Sequence, residues 1–118
     1  MKNKDSTRYM SDLQEIAISR AVNGKRTWNS GAGNFMKGDI VTRNFTIEAK
    51  TAMEEKKAFS IKKEWLDKLI EQNFSNKKNH WALAFNFGGE HNQSNNYYII
   101  NESDFIALKN YLEEVECD

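Results

Sequence analysis

The chain has 118 residues, a formal net charge of zero, 39% hydrophobic residues and no proline. That is enough for one domain with one modest core and too little for two ordinary ones, so residues 1–118 are expected to form a single domain with a loose polar start over residues 1–7. No apolar run approaches the roughly 20 residues of a membrane-spanning helix, and no secretory pattern opens the chain.

The single cysteine, Cys117, excludes a disulfide framework and a cysteine zinc site, and it suits a reducing, cytoplasmic setting. Zero net charge conceals segregation. Through Lys63 there are 13 Lys/Arg against 7 Asp/Glu, and from Glu64 onward 4 against 10. Such a division either places a basic surface around a site in the first half or is scattered solvated charge.

Arg8 to Asn23 reads as a helix. Met10, Leu13, Ala17 and Ala21 recur at three- and four-residue steps with Ile16 beside them, and Ile18 and Val22 make a second stripe. A helix apolar on two flanks packs against more than one partner. That puts Glu15 at the edge of a core, the alternative being an ordinary surface glutamate. Asn23-Gly24 stops the helix, since both residues tolerate a left-handed conformation. Lys25 to Asn29 is a short candidate strand bearing Trp28, which is either a core residue or a stacking platform for a base. Ser30 to Asn34 is a glycine-rich loop that lacks the Gly-Lys-Ser/Thr ending of a phosphate-binding P-loop.

Gly38 to Thr42 is short and β-branched. Phe45, Ile47 and Ala49 then alternate with Thr46, Glu48 and Lys50, the period of a strand with one face in a core. A two-residue turn at Arg43-Asn44 joins the two strands and sets a register that brings Asp39 opposite Glu48, with Cβ atoms about 4.5–5.5 Å apart. Two carboxylates so placed repel each other, and a divalent cation between them removes the problem. Lys50 projects from the same face as Glu48. The pattern is that of a metal site with a lysine beside it.

After a charged connection containing Lys56-Lys57, Ser60 is expected to cap a helix running to about Asn73, with Ile61, Trp65, Leu66, Leu69 and Ile70 as its buried stripe. Lys62, Lys63 and Lys68 are its solvated residues. Lysines near a helix start oppose the dipole, which points to phosphate contacts or to plain solubility. Trp81 to Phe87 reads as an apolar, central strand. An Asn- and Gln-rich loop, Gly88 to Asn96, leads to the strand Tyr97 to Ile100. Asn101 or Ser103 caps a last helix bearing Phe105, Leu108, Leu112 and Val115. His80 and His91 flank strands with no partner at metal-ligand spacing and are read as structural. The fold class is therefore α/β, in the order α-βββ-α-ββ-α, with helices covering a mixed sheet.

Gly38-Asp39 followed by Glu48-Ala49-Lys50 resembles the G-D…E-x-K signature of the PD-(D/E)XK nucleases, which share the restriction-endonuclease-like core. Glu15 is placed like the extra helix glutamate of the Holliday junction resolvase branch, and Asn29-Ser30-Gly31-Ala32 before Lys37-Gly38-Asp39 is similar to a run found there. The likeness covers roughly residues 8–100, and a lone Asp…Glu-x-Lys recurs by chance. Helix placement, the glycine before the aspartate and the element order add specificity. The aspartate is not preceded by the proline of many relatives.

The resemblance implies a metal-dependent endonuclease with Glu15, Asp39, Glu48 and Lys50 as catalytic residues. Asp39, Glu48 and the Ala49 carbonyl would hold Mg²⁺, with Glu15 as a further candidate ligand and Mn²⁺ as a substitute metal. Lys50 would orient or deprotonate the attacking water or stabilise the developing oxyanion. The implied partners are branched DNA and a second copy of the chain, since symmetric cutting of a four-way junction takes two sites. Candidate DNA contacts are Lys25, Arg26, Ser30, Lys37, Arg43, Lys56, Lys57, Lys62 and Lys63. The alternatives are a duplex-cutting or nicking nuclease, or a non-catalytic DNA-binding module of the same fold. A phage-encoded chain would work in its host's cytoplasm.

Overall fold

The computed structural model describes residues 6–27 and 36–117, so the expectations for Trp28, Ser30 and the glycine-rich loop lie outside the described residues. Among the described residues, three α-helices, a short 3-10 turn over Glu90–Asn92 and one five-stranded mixed sheet make up an α/β fold in the expected order. The elements are α1 (Thr7–Ala21), β1 (Lys25–Arg26), β2 (Ile40–Val41), β3 (Phe45–Lys50), α2 (Lys63–Asn76), β4 (His80–Phe85), β5 (Tyr97–Ile99) and α3 (Glu102–Val115). The strands lie in chain order across the sheet. All neighbours are antiparallel except β3 and β4, because α2 must carry the chain back before β4 can run beside β3.

The β2–β3 hairpin has the register read from the alternation. Ile40 pairs with Ile47 and Val41 with Thr46, and the tight turn is closed by the Thr42 N–H donating to the Phe45 carbonyl at 3.0 Å. Ile40, Ile47, Ala82 and Ala84 point to the α1 side, where they bury Ile18 and contact Val22. Thr46, Glu48 and Lys50 consequently point to the α2 side.

Two helices depart from expectation. In α1 the buried residues are Met10, Gln14 and Ile18. Leu13, Ile16, Ala17 and Ala21, read as the main core stripe, instead line an open cleft against Glu90, Gln93 and Tyr98. Gln14 belongs to neither apolar stripe read from the sequence. It is fully buried because its Nε2 donates to the Lys50 carbonyl at 2.8 Å and to Asn96 Oδ1 at 3.0 Å.

In α2 the first helical residue is Lys63 and the cap position is Lys62, which makes no side-chain capping bond. Ser60 stays outside the helix. Phe59 stacks on Phe85 at 5.6 Å and meets Trp65 at 6.2 Å, and the backbone is extended at Lys62. Of the expected stripe Leu69 is fully buried, but Ile70 is exposed and Asn73 and Asn76 are buried instead. Among the described residues, no helix is long and apolar enough to cross a membrane.

Candidate active site

Asp39 is fixed on the sheet from three directions. Its N–H donates to the Ile47 carbonyl at 3.0 Å, its carbonyl accepts from Thr27 N–H at 2.9 Å, and its Oδ2 accepts from Ala49 N–H at 2.8 Å. The carboxylate thus reaches across the hairpin to the residue beside Glu48. The preceding Gly38 has φ +87, and a Cβ there would come within 2.7 Å of Thr46 Cγ2. The glycine of the Gly-Asp pair is required by backbone conformation and by close approach.

Glu48 leaves β3 on the α2 side. Its side chain is 19% exposed, with Oε2 3.7 Å from Lys50 Nζ. The Lys50 ammonium also lies 4.7 Å from the Trp65 ring centroid, while Lys62 approaches the same ring at 5.7 Å. Burial and the adjacent Asp39 charge push the Glu48 carboxyl from 4.5 up to about 7, against the pull of Lys50 and Lys68. Burial likewise raises Asp39, opposed by the Ala49 N–H, Lys50, Glu48 and Arg26. The two acidic groups are mutual neighbours in a partly dehydrated corner, where one negative charge disfavours the other.

Glu15 stands at the α1 edge of this corner. Burial and the Asp39 charge raise it, and Arg26 holds it down. Its Oε1 accepts from Arg26 Nε at 3.1 Å, and the same guanidinium reaches Asp12 at 3.0 Å. Arg26, expected on DNA, is engaged by acidic side chains of α1.

The other candidate contacts scatter in their surroundings. Lys37 shares a cleft of about 370 Å³ with Lys68, Glu71, Gln72 and Ser75, and its backbone is clamped by Asn76 at 2.8 and 2.9 Å. Lys63 pairs with Asp67 at 2.9 Å. Lys25, Arg43, Lys56 and Lys57 are exposed. His80 meets Asp104 at 2.8 Å, and His91 meets Glu55 at 3.3 Å in an exposed surface pair.

Four contributors to this corner were not identified from the sequence: Lys68, Trp65, Gln14 and Asn76. Asn76 bonds Thr46 Oγ1 at 3.0 Å behind Glu48. A signal existed for the α2 residues, since a right-handed β3–α2–β4 crossover must lay α2 over one face of the sheet, and alternation places Thr46, Glu48 and Lys50 there. Gln14 gave no such signal. Neither did the amide cluster behind it, in which Asn86 Nδ2 donates to Gln93 Oε1 at 2.9 Å and Gln93 Nε2 donates to Thr51 Oγ1 at 2.9 Å. This cluster ties the end of β3 to the Asn-rich loop, which the sequence reading took for a simple connector.

Among the described residues, no three His, Cys, Asp or Glu side chains converge as a metal-binding group. The donors available are the Asp39 and Glu48 carboxylates and neighbouring backbone carbonyls. These are hard oxygens, which suit Mg²⁺ with several retained waters better than a softer metal. No family model, no curated protein and no solved structure matches this chain.

Proposed function

We propose that this chain is a Mg²⁺-dependent DNA endonuclease with a restriction-endonuclease-like core, acting as a homodimer on four-way junctions. The observation that carries the reading is the pair Asp39 and Glu48, two dehydrated neighbouring carboxyls of which Asp39 raises the pKa of Glu48, with Lys50 Nζ 3.7 Å from Glu48. A corner made for stability alone would avoid that arrangement. Asp39 and Glu48, with the Ala49 carbonyl, would hold the cation, and Glu15 is close enough to Asp39 for the Asp39 charge to raise its pKa.

The chemistry supplied by the bound cation is charge neutralisation at the phosphate and a lowered pKa for attacking water. Lys50, steered by Glu48 and the Trp65 face, is held where it can orient that water or stabilise the pentavalent oxyanion. Asp39 keeps its orientation through the Ala49 N–H. Gln14 fixes the backbone of Lys50 from the opposite face of the sheet. Lys37 and Lys68, in their shared cleft, offer cations to the flanking phosphates.

The test is incubation with a synthetic four-way junction, a matched duplex and a nicked duplex, each with and without Mg²⁺. Paired nicks on opposed strands of the junction, seen with Mg²⁺ and lost in EDTA, are expected. Activity that survives excess EDTA removes the metal assignment. Equal cutting of duplex and junction by a monomer replaces the resolvase reading with that of a nicking nuclease.

A further inference from the structure

The last helix is anchored at one end and bare along the rest. Asn101 Oδ1 accepts from Asp104 N–H at 2.8 Å, and the Asp104 carboxylate meets His80 at 2.8 Å, so the first turn is fixed to the sheet. Yet no residue of α3 is buried. Phe105, Leu108, Leu112 and Val115 follow the 3–4–3 spacing of a single stripe, with Tyr111 beside it. Phe105 and Val115 are each 57% exposed and Tyr111 is 63% exposed. Lys109 and Glu113, on the opposite side, form an ordinary surface pair at 3.0 Å.

Where α3 leaves the sheet it opens an apolar groove of about 420 Å³, walled by Val22, Phe45, Ile47, Tyr98, Ile100 and Leu108. This is the α1 side of the sheet beyond the end of α1, where half-buried Val22, Phe45 and Ile100 pack against the buried core residues Ile47 and Ala82.

From this we infer that α3 and the groove are the homodimer surface, each copy laying its α3 stripe along the partner's stripe and into the partner's groove. Size supports the second copy as occupant. The five stripe residues and the groove walls, Tyr98 among them, present on the order of 600 Å² of mostly apolar surface, approaching one side of a standard stable interface at about 800 Å². Charge supports it too. The helix carries Glu102, Asp104, Glu113 and Glu114 against Lys109 alone, whereas the first half of the chain is basic and places exposed Arg43 next to the groove residue Thr42. A two-fold axis lets one such pairing be made twice. The inference deepens the homodimer part of the reading above but does not use the carboxylate corner.

The test therefore reads mass and not cleavage. Sedimentation of the full chain at micromolar concentration should give twice the 13.7 kDa chain mass. The double variant Leu108→Glu/Leu112→Glu should sediment as a single chain with unchanged helical ellipticity, its dimer dissociation constant weakened at least about 30-fold. Phe74→Glu, on the exposed face of α2, should leave the dimer intact. Should the double variant lose its ellipticity, Tyr111→Asp takes its place, with the same result expected. A wild-type monomer overturns the inference, as does a dimer that survives the α3 variants or is broken by Phe74→Glu. An inactive dimer leaves it standing and counts against the nuclease reading alone. An active monomer does the reverse.

Discussion

At the Asp39–Glu48 corner, carboxylates are drawn out of water; along α3, large apolar side chains are left in it. The two regions break the ordinary partition of side chains in opposite senses, and each is expensive for an isolated chain. The corner raises the pKa of its acids, and the stripe forgoes burial worth about 25 cal/mol per Å². They differ in what relieves them. A small cation is enough for the corner, whereas the stripe needs a surface of its own size. The corner therefore bears on chemistry and the stripe on assembly, and substitutions in one should leave the other's readout unmoved.

The largest expected effect tests that separation at the corner. Asp39→Asn, Glu48→Gln and Lys50→Ala should each lower junction cleavage by about 10³-fold or more, with junction binding kept within a few-fold and the sedimenting mass unchanged. Single-turnover cleavage and a gel-shift titration on the same preparations separate the two readouts. Near-normal cleavage by Glu48→Gln would end the metal assignment.

The next effect sharpens the contrast between buried and bare apolar residues. Leu69, fully buried, should cost about 2–4 kcal/mol on replacement by alanine, at any protein concentration. Leu112→Ala should cost little where the chain is monomeric and progressively more as concentration rises, because dimerisation adds to apparent stability by mass action. Urea midpoints measured over a hundredfold range of concentration distinguish the two behaviours. Equal, concentration-independent losses would make α3 part of the monomer's core.

How much of this was legible in the sequence differs between the regions. The β2–β3 register was readable because a strand period of two and a two-residue turn leave no freedom: Ile40 had to meet Ile47. That register brought Asp39 and Glu48 together, while the bond from Asp39 Oδ2 to Ala49 N–H needed the structure. The start of α2 was misread because a local cap signal at Ser60 yielded to the packing of Phe59 against Phe85 and Trp65, a tertiary override of a weak local preference. In α1, periodicity counted apolar residues and so missed that buried Gln14 joins the backbone of Lys50. The α3 stripe was plain as a pattern, but a pattern says only that a face is apolar and not what covers it.

A smaller effect follows from the direction of the Glu48 shift. Burial and Asp39 raise Glu48 from 4.5 to about 7, so the folded state holds its proton over a pH range where the unfolded state has released it. Stability from this group is fully present below pH 4.5 and is lost as pH rises through about 7. Metal-free protein should thus lose on the order of 3 kcal/mol across that window, and Mg²⁺ should restore most of it at the upper end. Urea denaturation in EDTA and in Mg²⁺ at several pH values measures this. A flat profile that Mg²⁺ does not alter would mean that the carboxylates are solvated and share no cation.

The smallest effect has the opposite sign to an ordinary active-site lesion. In Asp39→Asn the amide oxygen can still accept the Ala49 N–H, so the hairpin keeps its geometry, and the amide nitrogen gains the ability to donate to Glu48. One of two repelling charges disappears, and the pKa of Glu48 falls back towards its ordinary range. The variant should then be more stable than wild type in metal-free buffer near pH 8, by about 0.5–2 kcal/mol. The difference should shrink as pH falls below about 7, where Glu48 of the wild type takes up its proton and the repulsion is relieved. Saturating Mg²⁺ should stabilise the wild type more than the variant, which has lost a ligand, and so narrow or reverse the gap. If Asp39→Asn is destabilising in EDTA at pH 8, the bond to Ala49 outweighs the repulsion, and the corner is a structural clamp and not a strained cation site.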